Sequence, residues 1–300
     1  MRAVVHETGV ALRHCLAESR PVVQLIFLMR FCAGALLGMP HAVGPRAPAG
    51  TLGWAAAVFA VYLYNGITDR IEDRRNGSAR PIARGTLSAR SAALAVAAAA
   101  VVALAAGAAV GPGCLALTAL FLAAGYVYSG PPLALKRSFY AAGLVGAAGG
   151  FLTYCDGALV WGGRLDPTLL LFATMLSLWM GAVGGVAKDL PDVPGDRLAG
   201  RRTLPVMLSE TRVRLIVSAE AGILAGAFGV CAARVPVLRA SAAALALGAV
   251  AVVLATALLR ADADRSRRRS PYRAFMTSQY LSHAALVGSI VIARRAWLGG

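Results

Sequence analysis

Long apolar segments alternate with short polar connections along almost the whole chain. The apolar positions are mainly Ala, Val, Leu and Gly, and they lack the strict alternation of barrel strands, which favours helices. Segments long enough to cross a bilayer as helices cover approximately residues 21–38, 51–68, 92–110, 114–128, 140–161, 168–187, 213–233, 238–259 and 276–297. The pattern predicts an all-α polytopic membrane protein with about nine transmembrane helices.

The remaining stretches add little independent structure. Residues 1–20 suggest an amphipathic or irregular lead-in, and residues 39–50 form a turn rich in Pro and Gly. A single domain over residues 1–300 is therefore expected. The five cysteines are scattered without CxxC or Cys/His spacing, so we expect core residues rather than a zinc site or a disulfide framework.

Composition supports the membrane assignment and narrows the partners. Hydrophobic side chains make up 58% of the chain and charged ones 15%, which excludes an ordinary soluble protein. The net charge of +16 comes almost wholly from Arg, because Lys136 and Lys188 are the only lysines. In a membrane protein this charge favours contact with the lipid bilayer and its anionic head groups rather than with nucleic acid.

The basic residues also predict an orientation. Most of them lie in the lead-in and in the connections after the second, fourth, sixth and eighth apolar segments. Positively charged connections stay in the cytoplasm, so these loops are predicted to face the cytoplasm from a multi-pass position in the plasma membrane.

The first polar motif ends the second apolar segment. Asn65, Asp69 and Asp73 recur at spacings of four and would share one face of a helix. Carboxylates at the mouth of a membrane helix are costly, and magnesium typically uses one or two of them together with substrate phosphates and water. The alternative is a solvated helix end in which these acids pair with the interleaved arginines.

The second polar motif ends the sixth segment. Its acids are Asp189, Asp192 and Asp196, and its prolines make one continuous helix through them unfavourable. Lys188 before this motif and Arg201 or Arg202 after it could donate to phosphate. With the YSGPPLALKR loop on the same predicted face, the two motifs predict one site for divalent cations and a polyphosphate.

A buried arginine interrupts the first apolar segment. Arg30 requires a partner at that depth, and an anionic ligand or a carboxylate would suit it. The alternative is that Arg30 only satisfies carbonyl groups of a neighbouring helix.

These motifs resemble those of the UbiA superfamily of intramembrane prenyltransferases. The NxxxDxxxD and DxxxD motifs of that family, its Tyr/Lys loop and the segment after its first motif match Asn65, Asp69, Asp73, Asp192, Asp196, Tyr128, Lys136, Arg137 and Arg80. Residues 188–206 resemble the homogentisate phytyltransferase and chlorophyll synthase branch. Many relatives have Asp where this chain has Gly66. The resemblance implies a UbiA-type bundle with a central cavity open to the cytoplasmic face.

The resemblance also implies an activity and roles for the residues. The expected reaction is Mg²⁺-dependent ionisation of an allylic prenyl diphosphate and transfer of its isoprenoid to an aromatic or other small lipophilic acceptor. Metal ligands would be Asn65, Asp69, Asp73, Asp189, Asp192 and Asp196; substrate would be bound by Asn65, Arg80, Lys136, Arg137, Lys188 and Arg30; and Tyr128 would join Asp69, Asp73, Asp192 and Asp196 in catalysis.

Two other functions remain open at this stage. A membrane terpene cyclase on the same scaffold would turn over prenyl diphosphate alone, whereas a transferase would need a second substrate. A carrier or a non-catalytic protein with degenerate motifs is the third possibility, and the intact acidic spacings argue against it. The sequence identifies neither the acceptor nor the length of the prenyl chain.

Overall fold

The protein is helical throughout the residues that its computed structural model describes, which are 2–38, 44–259 and 263–298. Within these ranges the only β-type pairing is an isolated bridge between Ser138 and Arg202. The α-helices in chain order are α1 Arg2–Glu18, α2 Pro21–Leu37, α3 Ala47–Thr68, α4 Arg70–Arg75, α5 Pro81–Arg84, α6 Ala89–Val110, α7 Pro112–Ser129, α8 Phe139–Val160, α9 Pro167–Trp179, α10 Gly185–Asp189, α11 Val193–Leu198, α12 Leu204–Met207, α13 Glu210–Ala233, α14 Arg239–Ala257, α15 Arg265–Arg268 and α16 Ser270–Leu298.

The membrane-spanning pattern agrees with the prediction from the sequence. In the described part of the chain, eight helical segments are long and apolar enough to span a bilayer singly. A ninth is obtained if the end of α1 and the whole of α2, which meet at 72°, count as one bent span. The all-α polytopic architecture is confirmed, and the observed helices differ from the predicted segments by only a few residues.

Two connections differ from the sequence-based outline. The lead-in is helical over α1 and turns sharply at Arg20, whose φ of 58° lies in the left-handed region. This bend returns the end of α1 towards the site instead of leaving it as a loose extension. The predicted turn at residues 39–50 falls partly outside the described residues, because 39–43 are not described.

The bundle is held together by close approaches of helix backbones. A Cβ on Gly34 of α2 would lie 2.0 Å from the carbonyl oxygen of Tyr154 in α8, and a Cβ on Gly157 would lie 2.0 Å from that of Phe31. Only glycine allows the two backbones to pack this closely, as in other membrane helix pairs. The α2–α8 pair therefore forms a rigid wall, which α16 also contacts.

The helix that carries the second acidic motif is irregular. After α9, residues Met180–Gly184 form a π-helical turn that leads into α10. A Cβ on Gly181 would lie 2.5 Å from the carbonyl oxygen of Gly143 in α8, so this turn packs directly against the α8 backbone. As predicted from the prolines, the helix does not continue through the second motif: α10 ends at Asp189 and α11 begins at Val193.

Candidate active site: two acidic clusters at the mouth of a membrane cavity

The first acidic motif keeps its helical spacing although the helix changes direction. α3 ends at Thr68, and Asp69 adopts φ −87° and ψ 0° before α4 begins. The hydrogen bonds nevertheless continue at helical spacing, because the N–H of Asp69 donates to the carbonyl of Asn65 at 2.9 Å and the N–H of Asp73 to that of Asp69 at 2.8 Å. The three side chains therefore follow one another by single turns.

Asp69 is buried and forms ion pairs with two basic side chains from other loops. Lys136 Nζ lies 2.8 Å from Asp69 Oδ1, and Arg201 Nη2 lies 2.6 Å from the same oxygen. Burial opposes ionisation of Asp69, but Arg201 and Lys136 outweigh that effect and hold the pKa of the carboxyl below its usual range. Asp69 is therefore a stable carboxylate without any metal.

Arg201 joins the two acidic motifs. Besides Asp69 it lies 3.8 Å from Glu72 and 3.5 Å from Asp196 of the second motif. Burial alone would lower the pKa of Arg201, but Asp69 and Asp196 raise it above its usual value. One guanidinium thus holds carboxylates that lie more than a hundred residues apart in the sequence, and Lys136 brings the YSGPPLALKR loop to the same point. The predicted convergence of three polar segments is present in the structure.

The three acids of the second motif differ in their burial and in their partners. Asp196 is buried, and burial raises its pKa to about 7 even though Arg201 acts in the opposite direction. Asp192 is partly exposed and pairs at 2.6 Å with Arg265, which also donates to the carbonyl of Asn76. Asp189, at the end of α10, is partly buried.

Arg265 links the loops of both motifs, because Asn76 follows the first motif and Asp192 belongs to the second. This contact could not be predicted, because Arg265 lies within a run of similar basic residues in a distant connection.

Glu18 is a second site residue that the sequence analysis missed. Its carboxylate is fully buried, lies 2.7 Å from Arg80 Nε and accepts from the backbone N–H of Ile82 at 2.8 Å. Arg80 also binds Asp73 at 2.8 Å. A Cβ on Gly66 would lie 2.3 Å from Glu18 Oε1. The glutamate of α1 therefore occupies the space that a side chain at position 66 would need.

A cavity of about 180 Å³ lies beside these clusters, between the helices. Residues near the helix ends form its mouth, among them Arg20, Asn65, Tyr128 and Lys188; deeper positions include Phe27, Arg30, Phe121, Gly146, Gly149 and Met180. Lys188 Nζ donates to the Tyr128 hydroxyl at 3.1 Å and lies 5.7 Å from the centre of its ring. Asn65 Nδ2 donates to Ser129 Oγ at 3.1 Å. The mouth is polar and the interior is mainly apolar.

Arg30 lies at the deep end of this cavity and contacts a carbonyl oxygen of a neighbouring helix, which was the alternative expected from the sequence, although that oxygen belongs to a side-chain amide. Its Nη2 donates to the side-chain oxygen of Gln279 in α16 at 3.1 Å, and Phe27 packs under the guanidinium at 5.1 Å. The Tyr154 hydroxyl lies beside it. Its Nε and Nη1 have no partner in hydrogen-bond geometry among the described residues, and no ion pair is found there for Arg30. The side chain is therefore a buried cation whose neighbours among the described residues are neutral.

Some predicted residues do not reach the cluster. The Arg137 side chain is exposed and does not line the cavity in the described part of the chain; only its backbone takes part, accepting from the N–H of Arg202 at 2.8 Å. Arg80 faces Glu18 and Asp73 and is already fully engaged. Tyr128, which is predicted from the sequence to act in catalysis, does line the cavity, together with Tyr62.

The donor set fits a hard divalent cation, because carboxylate oxygens are the ligands that magnesium prefers. Within residues 2–38, 44–259 and 263–298, however, no three His, Cys, Asp or Glu side chains are already gathered around a metal position. The reason is visible in the ion pairs: basic side chains stand between the acids.

Comparison with known proteins gives the same class as this geometry. Residues 27–279 match the UbiA prenyltransferase family. The chain therefore belongs to the UbiA prenyltransferase family, and it is a multi-pass membrane enzyme of the prenyltransferase class.

Among curated proteins, the chain is 33% identical over 201 residues to the digeranylgeranylglyceryl phosphate synthase of Halobacterium salinarum. The match covers 65% of this chain and 67% of that protein. This relative does not belong to the homogentisate phytyltransferase and chlorophyll synthase branch, so the comparisons do not support that part of the resemblance.

Solved structures agree on the fold. A UbiA homolog from Archaeoglobus fulgidus bound to GPP and Mg²⁺ superposes with a TM-score of 0.70 at 20% identity, over 93% of this chain and 99% of that one. The apo structure of a UbiA homolog from Aeropyrum pernix gives 0.67 at 21% identity, over 90% and 97%. At these identities the likeness establishes the architecture of the bundle and not the substrates.

Proposed function

We propose that this protein catalyses Mg²⁺-dependent transfer of an isoprenoid from an allylic prenyl diphosphate to a small lipophilic acceptor that carries an anionic group. The observation that carries the proposal is that Asp69 and Asp196, one from each acidic motif, both contact Arg201 beside the mouth of an apolar cavity. A charged leaving group and a hydrocarbon tail would then be bound at adjacent places.

The metal ligands follow from the donor set. Asp69, Asp73, Asp192 and Asp196 would hold Mg²⁺, and Asn65 and Asp189 are the further candidate ligands. When bound, Mg²⁺ neutralises charge on the diphosphate and makes it a better leaving group. The homolog from Archaeoglobus fulgidus is bound to GPP and Mg²⁺, which supports the use of Mg²⁺ but not the choice of these ligands.

Basic residues around the acids would bind the diphosphate itself. Lys136 and Arg201 already meet at one carboxylate oxygen, and Lys188 lies at the cavity mouth. Charge-assisted bonds to phosphate oxygens are stronger than neutral ones, and preorganised donors aimed at developing charge are the main catalytic effect in such sites. Arg80 has a supporting role, because it fixes Asp73 from the buried side.

Tyr128 is the residue best placed for the allylic cation. Its ring lines the cavity beside the mouth, and its hydroxyl is held by Lys188. The face of a tyrosine ring attracts positive charge, so it would stabilise a cation formed as the diphosphate departs. The glycines of α8 leave room for the prenyl tail along the apolar wall, where water is excluded.

The acceptor would bind at the deep end through Arg30. A buried guanidinium that forms no ion pair among the described residues favours a ligand that brings negative oxygens, such as a carboxylate or a phosphate. An aromatic acid meets this requirement. So does a lipid with a glyceryl phosphate, the group that the name of the Halobacterium salinarum relative contains.

The site would face the cytoplasm from the plasma membrane. Arginines are concentrated in the loops that carry both motifs, and such loops remain on the cytoplasmic side. The single domain would extend over residues 1–300.

Product analysis tests the proposal. Purified protein in lipid would be incubated with geranyl, farnesyl and geranylgeranyl diphosphates, each alone and each with a prenylated glycerol phosphate or a hydroxylated aromatic acid. We expect a prenylated acceptor, identified by mass spectrometry, only when donor and acceptor are both present. Cyclic hydrocarbon from donor alone would instead identify a terpene cyclase, and absence of product in every mixture would contradict the proposal.

A further inference from the structure

Arg201 pairs with acidic side chains from both motifs and partly neutralises their charge. Its guanidinium contacts Asp69 at 2.6 Å, Asp196 at 3.5 Å and Glu72 at 3.8 Å. Asp69 and Asp196 are two of the acids proposed to bind magnesium, one from each motif, and the guanidinium contacts both of them. Without it, buried carboxylates from the two motifs would lose the one side chain that forms ion pairs with both of them, and their mutual repulsion would be offset less well.

We propose that Arg201 is an exchangeable counter-ion, which neutralises both acidic motifs in the empty site and becomes a ligand of the diphosphate once magnesium occupies the carboxylates. This inference rests on the proposed magnesium and diphosphate chemistry and adds a role that the sequence motifs do not specify. No bond is made or broken in the exchange; one cation replaces another at the carboxylates.

Electrostatics require such a movement. A divalent cation on the carboxylate of Asp69 would repel a guanidinium bound to the same oxygen, and at short range in a poorly hydrated site this repulsion is strong. The diphosphate that accompanies the metal brings negative oxygens to the same place. Arg201 would thus lose one set of anionic partners as it gains another, and its charge would never be left unpaired.

The local backbone allows the side chain to move while the loop remains fixed. Gly200, with φ of 67°, ends the turn after α11, and Arg201 itself lies outside the helices. The next residue, Arg202, is anchored on both sides: its N–H donates to the carbonyl of Arg137 at 2.8 Å, and its carbonyl accepts from the N–H of Phe139 at 3.2 Å. The movement can therefore be confined to the long Arg201 side chain.

Arg201 is better suited to this exchange than Arg80, the arginine that pairs with Asp73 of the first motif. Arg80 binds Asp73, Glu18 and a backbone carbonyl in a nearly sealed pocket, with 9% of its side chain exposed. Arg201 retains 16% exposure and makes no recorded hydrogen bond to backbone with its guanidinium among the described residues. Arg80 is a fixed support, whereas Arg201 has only carboxylate partners.

The exchange predicts effects of opposite sign on two ligands. Removing the guanidinium removes a competitor of magnesium but also removes a donor to diphosphate. A residue that merely supported the fold would weaken both kinds of binding when lost. The signs of the changes in magnesium and diphosphate binding therefore distinguish an exchangeable counter-ion from a residue that only supports the fold.

The test is calorimetric titration of the full-length protein in lipid nanodiscs, with MgCl₂ alone and then with inorganic diphosphate at saturating Mg²⁺. For Arg201→Gln we expect the Kd for Mg²⁺ alone to fall by about threefold, because an ion pair no longer has to be broken. The Kd for diphosphate should rise by about tenfold, because a charge-assisted donor is lost. Arg201→Lys keeps the charge and should give smaller changes in the same directions.

Arg197→Gln is the matched control, because Arg197 is an exposed arginine of the neighbouring α11 and forms no ion pair in the described residues. It should leave both constants unchanged. Weaker binding of both ligands by Arg201→Gln and Arg201→Lys, or no change in either, would overturn the exchange while leaving the proposed function intact. Failure of the unmodified protein to bind diphosphate in a Mg²⁺-dependent manner would overturn both.

Discussion

Charged side chains are paired at the mouth of the cavity, whereas the one at its deep end forms no ion pair within the described residues. At the mouth, Asp69, Asp73, Asp192 and Asp196 each have a basic side chain within 3.5 Å. At the deep end Arg30 has neutral neighbours within the described ranges, the side-chain amide of Gln279 and the Tyr154 hydroxyl, and it forms no ion pair there. Paired charges at the mouth are stable without a ligand and can exchange partners. The unpaired charge inside suits the anionic acceptor that we propose.

The two ends also differ in what holds them. The mouth is assembled from connections, through ion pairs between segments that are distant in the sequence. The deep end is built by three membrane helices: Gln279 on α16 orients Arg30 on α2, and the Tyr154 hydroxyl on α8 lies 2.8 Å from His283 Nε2. His283 Nδ1 lies 2.7 Å from the carbonyl of Gln279, which can only accept, so this nitrogen carries a proton. The deep end is therefore the more rigid of the two.

Substitution of Arg30, the unpaired charge, should distinguish the role of the deep end from that of the mouth most clearly. Arg30→Gln would keep a polar side chain but remove the buried positive charge, and we expect the KM for an anionic acceptor to rise about tenfold to a hundredfold. The KM for the prenyl diphosphate should change little, since that ligand is bound by mouth residues. Steady-state kinetics with each substrate varied in turn measure both quantities.

Arg294→Gln, which changes an exposed arginine near the end of α16, is the control for loss of positive charge alone. An equal rise in the KM of donor and acceptor in Arg30→Gln would contradict a separate acceptor position.

A smaller effect should follow from disturbing the support of the mouth. In Gly66→Ala the new Cβ would lie 2.3 Å from Glu18 Oε1 and 2.6 Å from Arg80 Nη2, so this buried pair must shift and Asp73 loses its fixed partner. We expect kcat to fall by about threefold to tenfold and Tm to drop by a few degrees, because a buried network is broken. Activity and thermal unfolding of the purified protein measure the two effects.

The matched substitution is Gly222→Ala in α13, where a Cβ would meet nothing within 4 Å. It should leave kcat unchanged and should not lower Tm. If Gly66→Ala behaved in the same way, Glu18 and Arg80 would not be supporting the site.

Local patterns predicted the helices and the acidic motifs well. The apolar runs indicated the spans because a helix in lipid satisfies its own backbone, so length and hydropathy suffice. The spacing of Asn65, Asp69 and Asp73 survived the break after Thr68 because the backbone hydrogen bonds continue across it. Both are properties of neighbouring residues.

Pairing between distant segments could not be predicted in this way. Glu18 belongs to a lead-in that looked irregular, and it reaches the site only because the chain bends at Arg20. Arg265 is one of several arginines in its connection, and nothing in the sequence distinguishes it from them. Gln279 is a neutral residue in an apolar helix, whereas a carboxylate was considered for Arg30. In each case the choice of partner is made by tertiary packing.

The most direct test of the account is release of diphosphate from a prenyl diphosphate by the purified full-length protein, measured with and without divalent cation. Release should stop on chelation with EDTA and return when Mg²⁺ is added. Asp69→Asn should reduce it by about a thousandfold or more while the protein remains folded and inserted in lipid. Undiminished release in EDTA, or near-normal release by Asp69→Asn, would contradict a magnesium site built from the two acidic motifs.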